Sequence, residues 1–203
     1  VTLVTNPNTR VIDASTAHRT AEGWTYGYPE LSKAQRAAIQ TAKRVANPGC
    51  HATGFISTVA PLVRMGVIPV DLPLCAYSPT GYSGGGKKLI AEYEDENRDP
   101  RHDSHRIYGT NLQHKHLPEM MKICGLTVPP VFSPILGDFY NGMATTVMLH
   151  NAQLTGTPGG EEIRDRLAEY YRDEYFVTVA PFGGDEPVIY ADTNADTNRL
   201  RIL

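Results

Sequence analysis

Cys50 stands in RVANPGCHATGF (residues 44–55), directly after a Pro-Gly pair and directly before an apolar run. A turn through Pro48-Gly49 leaves no side chain in front of the sulfur. A helix behind it would aim unpaired N–H groups and a partial positive charge at it. Helix N-termini and neighbouring cations lower a thiol's pKa from about 8.5, which makes a nucleophile at neutral pH. The competing role is that of a small buried hydrophobe. Cys75, within an apolar strand, and Cys124, at a helix end, are read that way.

A second group is NLQHKHLPEM, where His114, His116 and Glu119 fall within six residues. An imidazole can take a proton from a thiol and return one to an alkoxide, and a carboxylate can orient it. H-x-H in an extended segment is also a metal-ligand spacing, and His102 and His105 lie upstream, so a zinc module is a rival reading. No paired spacing such as C-x2-C accompanies it.

GYSGGGKK (residues 81–88) follows the G-x-x-x-x-G-K of a phosphate loop, but Lys88 replaces the Mg-binding Ser or Thr, which speaks against an ATPase. Its three glycines allow a ligand close to the backbone, with Ser83 and Lys87 as anion contacts. No G-x-G-x-x-G dinucleotide fingerprint occurs. Asp13-Ala-Ser-Thr-Ala-His-Arg19 puts Ser15 and Arg19 past a strand end, and Arg suits bidentate capture of a carboxylate or phosphate.

The elements that must hold these groups follow from the pattern. VTLVT at the start and TRVIDAS (residues 9–15) read as strands, and YGYPELS as a connection. Ser32 with Gln35 forms a capping box for a helix that ends before Asn47. A buried helix runs from Thr53, with Pro61 as a kink and Gly66 as C-cap. LPLCAYSPT, VPPVFSPI and MATTVMLH read as strands, the last two on either side of a turn from Gly137 to Gly142. Residues 92–106 form a charged, solvated segment. Residues 161–175 make an amphipathic helix with acidic residues in its first turn. FVTVAPF, PVIYAD and the final RLRIL complete the strands.

The 203 residues, 41% hydrophobic and 20% charged, suffice for one large domain or two small ones. A net charge of -3 excludes phosphate-backbone binding as the main role, so no nucleic-acid partner is expected. Three scattered cysteines make a poor disulfide framework and suit a reducing, cytoplasmic setting. No run approaches the ~20 apolar residues of a membrane span. The strand-like start without Met and the strand-like end read as a fragment of a longer chain.

Taken together, IDASTAHR with YGYPEL, NPGCHATG, GYSGGGKK, HKHLPEM and GDFYNGM resemble, in order, the N-acetyl-gamma-glutamyl-phosphate reductase family in its shorter second type, among the aspartate-semialdehyde dehydrogenase-like enzymes. The resemblance implies α/β plus α+β architecture. Residues 1–50 would be the C-terminal part of a Rossmann-like dinucleotide-binding domain. Residues 51–203 would be a glyceraldehyde-3-phosphate/aspartate-semialdehyde dehydrogenase-like catalytic and oligomerisation domain. It implies Cys50 as nucleophile, His114 as acid/base, and His116 and Glu119 assisting or contacting substrate. Ser15, Arg19, Ser83 and Lys87 would contact substrate or phosphate, and Gly84, Gly85 and Gly86 would lie near the nicotinamide of NADP(H), with no metal. A small acyl phosphate would be the substrate, and a dimer or tetramer the assembly. The family's N-terminal glycine-rich loop and C-terminal helix do not occur here, so the chain is expected to lack much of the cofactor site. A cofactor-free cysteine hydrolase is the other alternative.

Overall fold

The computed structural model describes residues 4–184 and 188–203. Three short parallel strands come first: β1 (Val11–Asp13), β2 (Thr25–Tyr26) and, after α1 (Lys33–Thr41), β3 (Arg44–Ala46), in the order β1-β3-β2. Ser32 caps α1 as expected, its Oγ accepting the Gln35 N–H at 3.0 Å. The Gln35 amide instead donates to the Tyr26 carbonyl and ties the helix to β2. The helix stops at Thr41, and Arg44–Ala46 leaves the helical path because β3 pairs on both sides, Ile12 and Thr25 both opposite Val45. The expected helix up to Asn47 is therefore shortened by tertiary pairing.

The chain then enters α2 (Cys50–Arg64), which starts three residues earlier than its apolar spacing indicated, with Gly49 as N-cap. Phe55, Ile56, Val59, Ala60 and Leu62 of α2 are fully buried at the centre of the core. Pro61 has no N–H to give the Ser57 carbonyl four residues back. The hydroxyl of Tyr171 donates to that carbonyl at 2.7 Å instead.

A mixed sheet follows, with β4 (Cys75–Thr80), α3 (Lys87–Glu94), β5 (Arg106–Ile107), α4 (Leu117–Cys124), β6 (Val131–Leu136) and β7 (Thr146–Met148). Its order is β5-β6-β4-β7, with β4 parallel to β6 and antiparallel to β7. The turn at 137–142 thus carries the chain across β4 rather than making a hairpin. One face of this sheet, through Ala76 and Phe132, packs on the core with α2 and α4. The other, with Cys75, Tyr77, Val131 and Met148, is exposed.

The helix α5 (Gly160–Tyr170) stops five residues short of the expected Tyr175, and β8 (Val177–Val179) pairs in parallel with β9 (Leu200–Ile202). Two expected strands are not formed where they are described: Val4 and Thr5 are irregular, as are residues 188–190 of PVIYAD. The remainder of VTLVT, and Pro187, lie outside the described residues. A single apolar cluster joins Tyr26, Tyr28 and Leu31 to α2, α4, α5 and the sheet.

Candidate active site

The thiol of Cys50 is exposed on the first residue of α2. Gly49 before it has ordinary extended angles, φ -76° and ψ 144°, so backbone conformation does not demand glycine there. Space does: a Cβ would stand 2.5 Å from both the Arg19 Nη1 and the His116 Nε2. The room left by the missing side chain is filled by the protein's own charged and aromatic groups.

Glu119, in the first turn of α4, holds this turn. Its Oε1 accepts the Gly49 N–H at 2.7 Å and the Tyr26 hydroxyl at 2.7 Å, and its Oε2 accepts from Arg19 at 3.3 Å. Arg19 also donates to the carbonyls of Asn47 at 2.9 Å and Ala14 at 3.1 Å. Burial, then the Glu119 charge, raises the Tyr26 pKa well above its usual value and keeps the phenol a donor.

Three imidazoles line the other side. His51 and His114 rings are 5.5 Å apart, His114 and His116 4.8 Å, and His114 rests edge-on against Phe132. Burial is the main cause that lowers the pKa of all three, bringing His51 down to about 4 and His116 down to about 3; the next cause is the His114 charge for His51 and His116, and the Lys115 charge for His114. The His116 main-chain N–H donates to His114 Nδ1 at 3.2 Å, so the neutral His114 ring carries its hydrogen on Nε2. The Nδ1 of His116 is buried without a hydrogen-bond partner among the described residues. An exposed sulfur, neutral imidazoles and a pinned main-chain turn suit covalent catalysis on a carbonyl carbon.

A family model for the semialdehyde dehydrogenase dimerisation domain matches residues 50–202, so the match begins at this cysteine. The chain belongs to that family. N-acetyl-gamma-glutamyl-phosphate reductase of Chelativorans sp. is 44% identical over 206 residues, covering 100% of this chain and 66% of its own length. N-acetyl-gamma-glutamyl-phosphate reductase 2 of Nostoc sp. is 44% identical over 186 residues, covering 90% and 58%. The chain thus spans about 58 to 66% of the length of these curated relatives. Among solved structures, aspartate semialdehyde dehydrogenase from Francisella tularensis superposes with a TM-score of 0.67 at 14% identity, over 94% of this chain and 63% of that one. This establishes a shared fold.

Within this semialdehyde dehydrogenase domain and the segment before it, Arg19, His116 and Glu119 gather at Gly49, the residue before Cys50, with His114 against His116. Of the two roles expected of Glu119, assisting or contacting substrate, its surroundings fit the first. Glu119 is 1% exposed, and both its oxygens serve Gly49, Tyr26 and Arg19, which leaves no face for a substrate. Arg19 uses one N–H from each of its three nitrogens on the turn and Glu119.

Ser15 lies at the end of β1 with its hydroxyl on Asp13 at 2.6 Å. Ser83 and Gly84–Gly86 form a turn ahead of Lys87, the first residue of α3. Among the described residues no hydrogen bond, ion pair or ring contact links this loop to the Cys50 cluster. Gly85 is explained by Leu89, which a Cβ would meet at 2.3 Å, and Gly86 by its φ of +77°. Gly86 has nothing within 4 Å of a notional Cβ and Gly84 only the Thr80 Oγ1 at 3.7 Å, so the loop is open to a ligand.

His102 is drawn away to Glu92 at 3.1 Å and stacks on Tyr93. Among the described residues no three His, Cys, Asp or Glu side chains stand where they could share a metal ion, and nothing favours the zinc module. No helix among them is long and apolar enough to cross a membrane. Sequence reading missed His51, Tyr26, Ser78 and Tyr108. The visible signals were a histidine directly after the cysteine and the place of Tyr26 at the head of YGYPEL.

Proposed function

We propose that the Cys50 site carries out the NADPH-dependent reductive dephosphorylation of N-acetyl-L-glutamyl 5-phosphate to N-acetyl-L-glutamate 5-semialdehyde and phosphate, a step of arginine biosynthesis in the cytoplasm. The observation that carries this reading is an exposed thiol on the first residue of a buried helix, in a chain 44% identical to reductases bearing that name.

The Cys50 thiolate adds to the acyl carbonyl carbon, and the bond from that carbon to the phosphate oxygen breaks, phosphate leaving with the electron pair. A thioester on Cys50 remains. The nicotinamide, when bound, supplies a hydride to the thioester carbon. The resulting alkoxide re-forms its carbonyl as the carbon–sulfur bond breaks, and Cys50 is returned as thiolate. His114, proposed as acid/base, acts on the carbonyl oxygen through Nε2. With its ring neutral, its first contribution is a hydrogen bond that polarises the carbonyl.

The buried Nδ1 of His116 is the polar atom a substrate oxygen would satisfy. Glu119 and Arg19 act as positioning residues for the turn. Ser15, Ser83 and Lys87 are the candidate contacts for the phosphate and carboxylate groups. The open backbone at Gly84 and Gly86 fits the approach of the nicotinamide end of the cofactor. The three parallel strands ahead of Cys50 fit the end of a Rossmann-like nucleotide-binding layer.

The exposed sheet face with Tyr77, Val131 and Met148 fits a homo-oligomer in which a second copy covers it. The deciding assay is the reverse reaction of the full-length protein: N-acetylglutamate semialdehyde, phosphate and NADP, followed by NADPH absorbance. Phosphate-dependent reduction of NADP is expected, with none from Cys50→Ser. An active Cys50→Ser would reject the thioester, and release of N-acetylglutamate and phosphate from N-acetyl-L-glutamyl 5-phosphate without NADPH, lost in Cys50→Ser, would reinstate the hydrolase.

A further inference from the structure

A chain of polar groups runs through His51, the residue that follows Cys50. The hydroxyl of Tyr108, just past β5, lies 2.9 Å from His51 Nε2. His51 Nδ1 lies 2.8 Å from the Ser78 Oγ in β4, which lies 2.8 Å from the Thr145 Oγ1 ahead of β7. His51 and Ser78 are almost fully buried, so water does not compete for these bonds.

A neutral imidazole has one N–H, so the chain can run in two directions. With the hydrogen on Nδ1, Tyr108 must donate to Nε2 and shows only lone pairs to the site. With it on Nε2, Thr145 donates to Ser78, Ser78 to His51 and His51 to Tyr108. The phenol O–H is then free to donate outward, strengthened by each bond behind it. The His51 bond holds the phenol on the residue next to Cys50, and burial, then the Cys50 charge, pushes the Tyr108 pKa up to about 12, so the phenol keeps its proton at neutral pH. Negative charge at the sulfur favours the outward direction.

Resting on the reading of Cys50 as the acyl-carrying nucleophile, we infer that Tyr108 is a further hydrogen-bond donor to the oxyanion formed on the Cys50-bound carbonyl, and that His51 is the positioning residue that turns its hydroxyl outward. No proton need leave Tyr108; the donor acts on charge that exists only between substrate and product.

The test is the reverse assay on the full-length protein, with alkylation of Cys50 by iodoacetamide measured beside it. Tyr108→Phe should lower kcat by about 10² to 10³, the usual effect of removing one oxyanion donor, with KM little changed and alkylation intact. His51→Phe should lose a similar factor, and the double variant should lose no more than either single one. His51→Gln, whose amide can donate to the phenol, should recover part of the rate. Should His51→Phe fail to fold, Thr145→Val breaks the far end of the same chain and should lower kcat without raising KM. Parental kcat in Tyr108→Phe overturns the donor. Losses that multiply in the double variant, or a Thr145→Val with parental kcat alongside an unfolded His51→Phe, overturn the positioning role. An active Cys50→Ser would instead reject the underlying thioester reading.

Discussion

The main-chain N–H of Gly49 and the Oε1 of Glu119 meet at 2.7 Å across 70 positions of sequence. The carboxylate that looked like a substrate contact is the pin that fixes the residue before the thiol. Glu119→Ala would leave the Arg19 guanidinium buried without its partner and Gly49 without an acceptor, a loss of about 3–5 kcal/mol. Glu119→Gln keeps one acceptor oxygen and should cost about 1–3 kcal/mol. Urea unfolding of both variants checks the order, and a Glu119→Ala costing under ~1 kcal/mol would show that the ion pair does not hold the turn.

Gly49→Ala separates space from backbone freedom. Its φ of -76° suits any residue, so a conformational account foresees no loss. The contacts foresee one, since the Cβ would displace Arg19 or His116. A destabilisation of about 1–3 kcal/mol is expected, with slower iodoacetamide alkylation of Cys50. Parental stability and reactivity together would show that both neighbours move aside freely.

Pro61 and Tyr171 are coupled through one carbonyl. Tyr171→Phe leaves the Ser57 oxygen without the donor that replaces the missing helix bond, a cost of about 1–3 kcal/mol. In a Pro61→Ala background the restored N–H serves that oxygen, so the same change should cost under about 1 kcal/mol. Equal costs in both backgrounds would mean that Tyr171 stabilises by packing alone.

These couplings mark what the sequence could and could not convey. Apolar spacing gave α2, α5 and the strands of the mixed sheet, because each has a buried face long enough to show a period. Arg44–Ala46 did not show itself, since a three-residue strand between two neighbours is chosen by pairing and not by its own pattern. At the site, residue type singled out Cys50 and His114 as candidates, while the roles expected of them came from the family resemblance. The task of Glu119 was not, because nothing in HKHLPEM says that the carboxylate faces Gly49. The line from Tyr108 to Thr145 joins four separate segments and exists only after folding.

The neutral histidines make stability depend on pH. His51 and His116 titrate at about 4 and about 3 in the folded state, against ~6.5 in the unfolded chain. As pH falls below ~6.5 the unfolded chain takes up protons that the folded protein refuses, so stability falls, by about 1.4 kcal/mol per pH unit for each histidine well inside the window. The loss continues down to the folded values. Chemical denaturation at pH 7, 6 and 5 should show the slope, and His116→Asn should remove one histidine's share of it, up to about 1.4 kcal/mol per pH unit. An unchanged slope in that variant would mean that His116 is charged in the folded protein.

The exposed face of the mixed sheet gives the last prediction. Tyr77 lies in β4, with Ser133 in register on one side and Thr146 on the other, and Ile107, Val131 and Met148 stand on the same open face. Apolar side chains gathered on one face of a central strand are the mark of a surface that a partner covers. A two-fold pair would bring each copy's patch against the other, so Tyr77→Lys would set like charges facing across the axis, at a cost of several kcal/mol to association. Sedimentation velocity should show dimers or tetramers for the parent and monomers for Tyr77→Lys. Far-ultraviolet circular dichroism should be unchanged, since the face is open in the single chain. A variant that stays assembled would move the interface to another face.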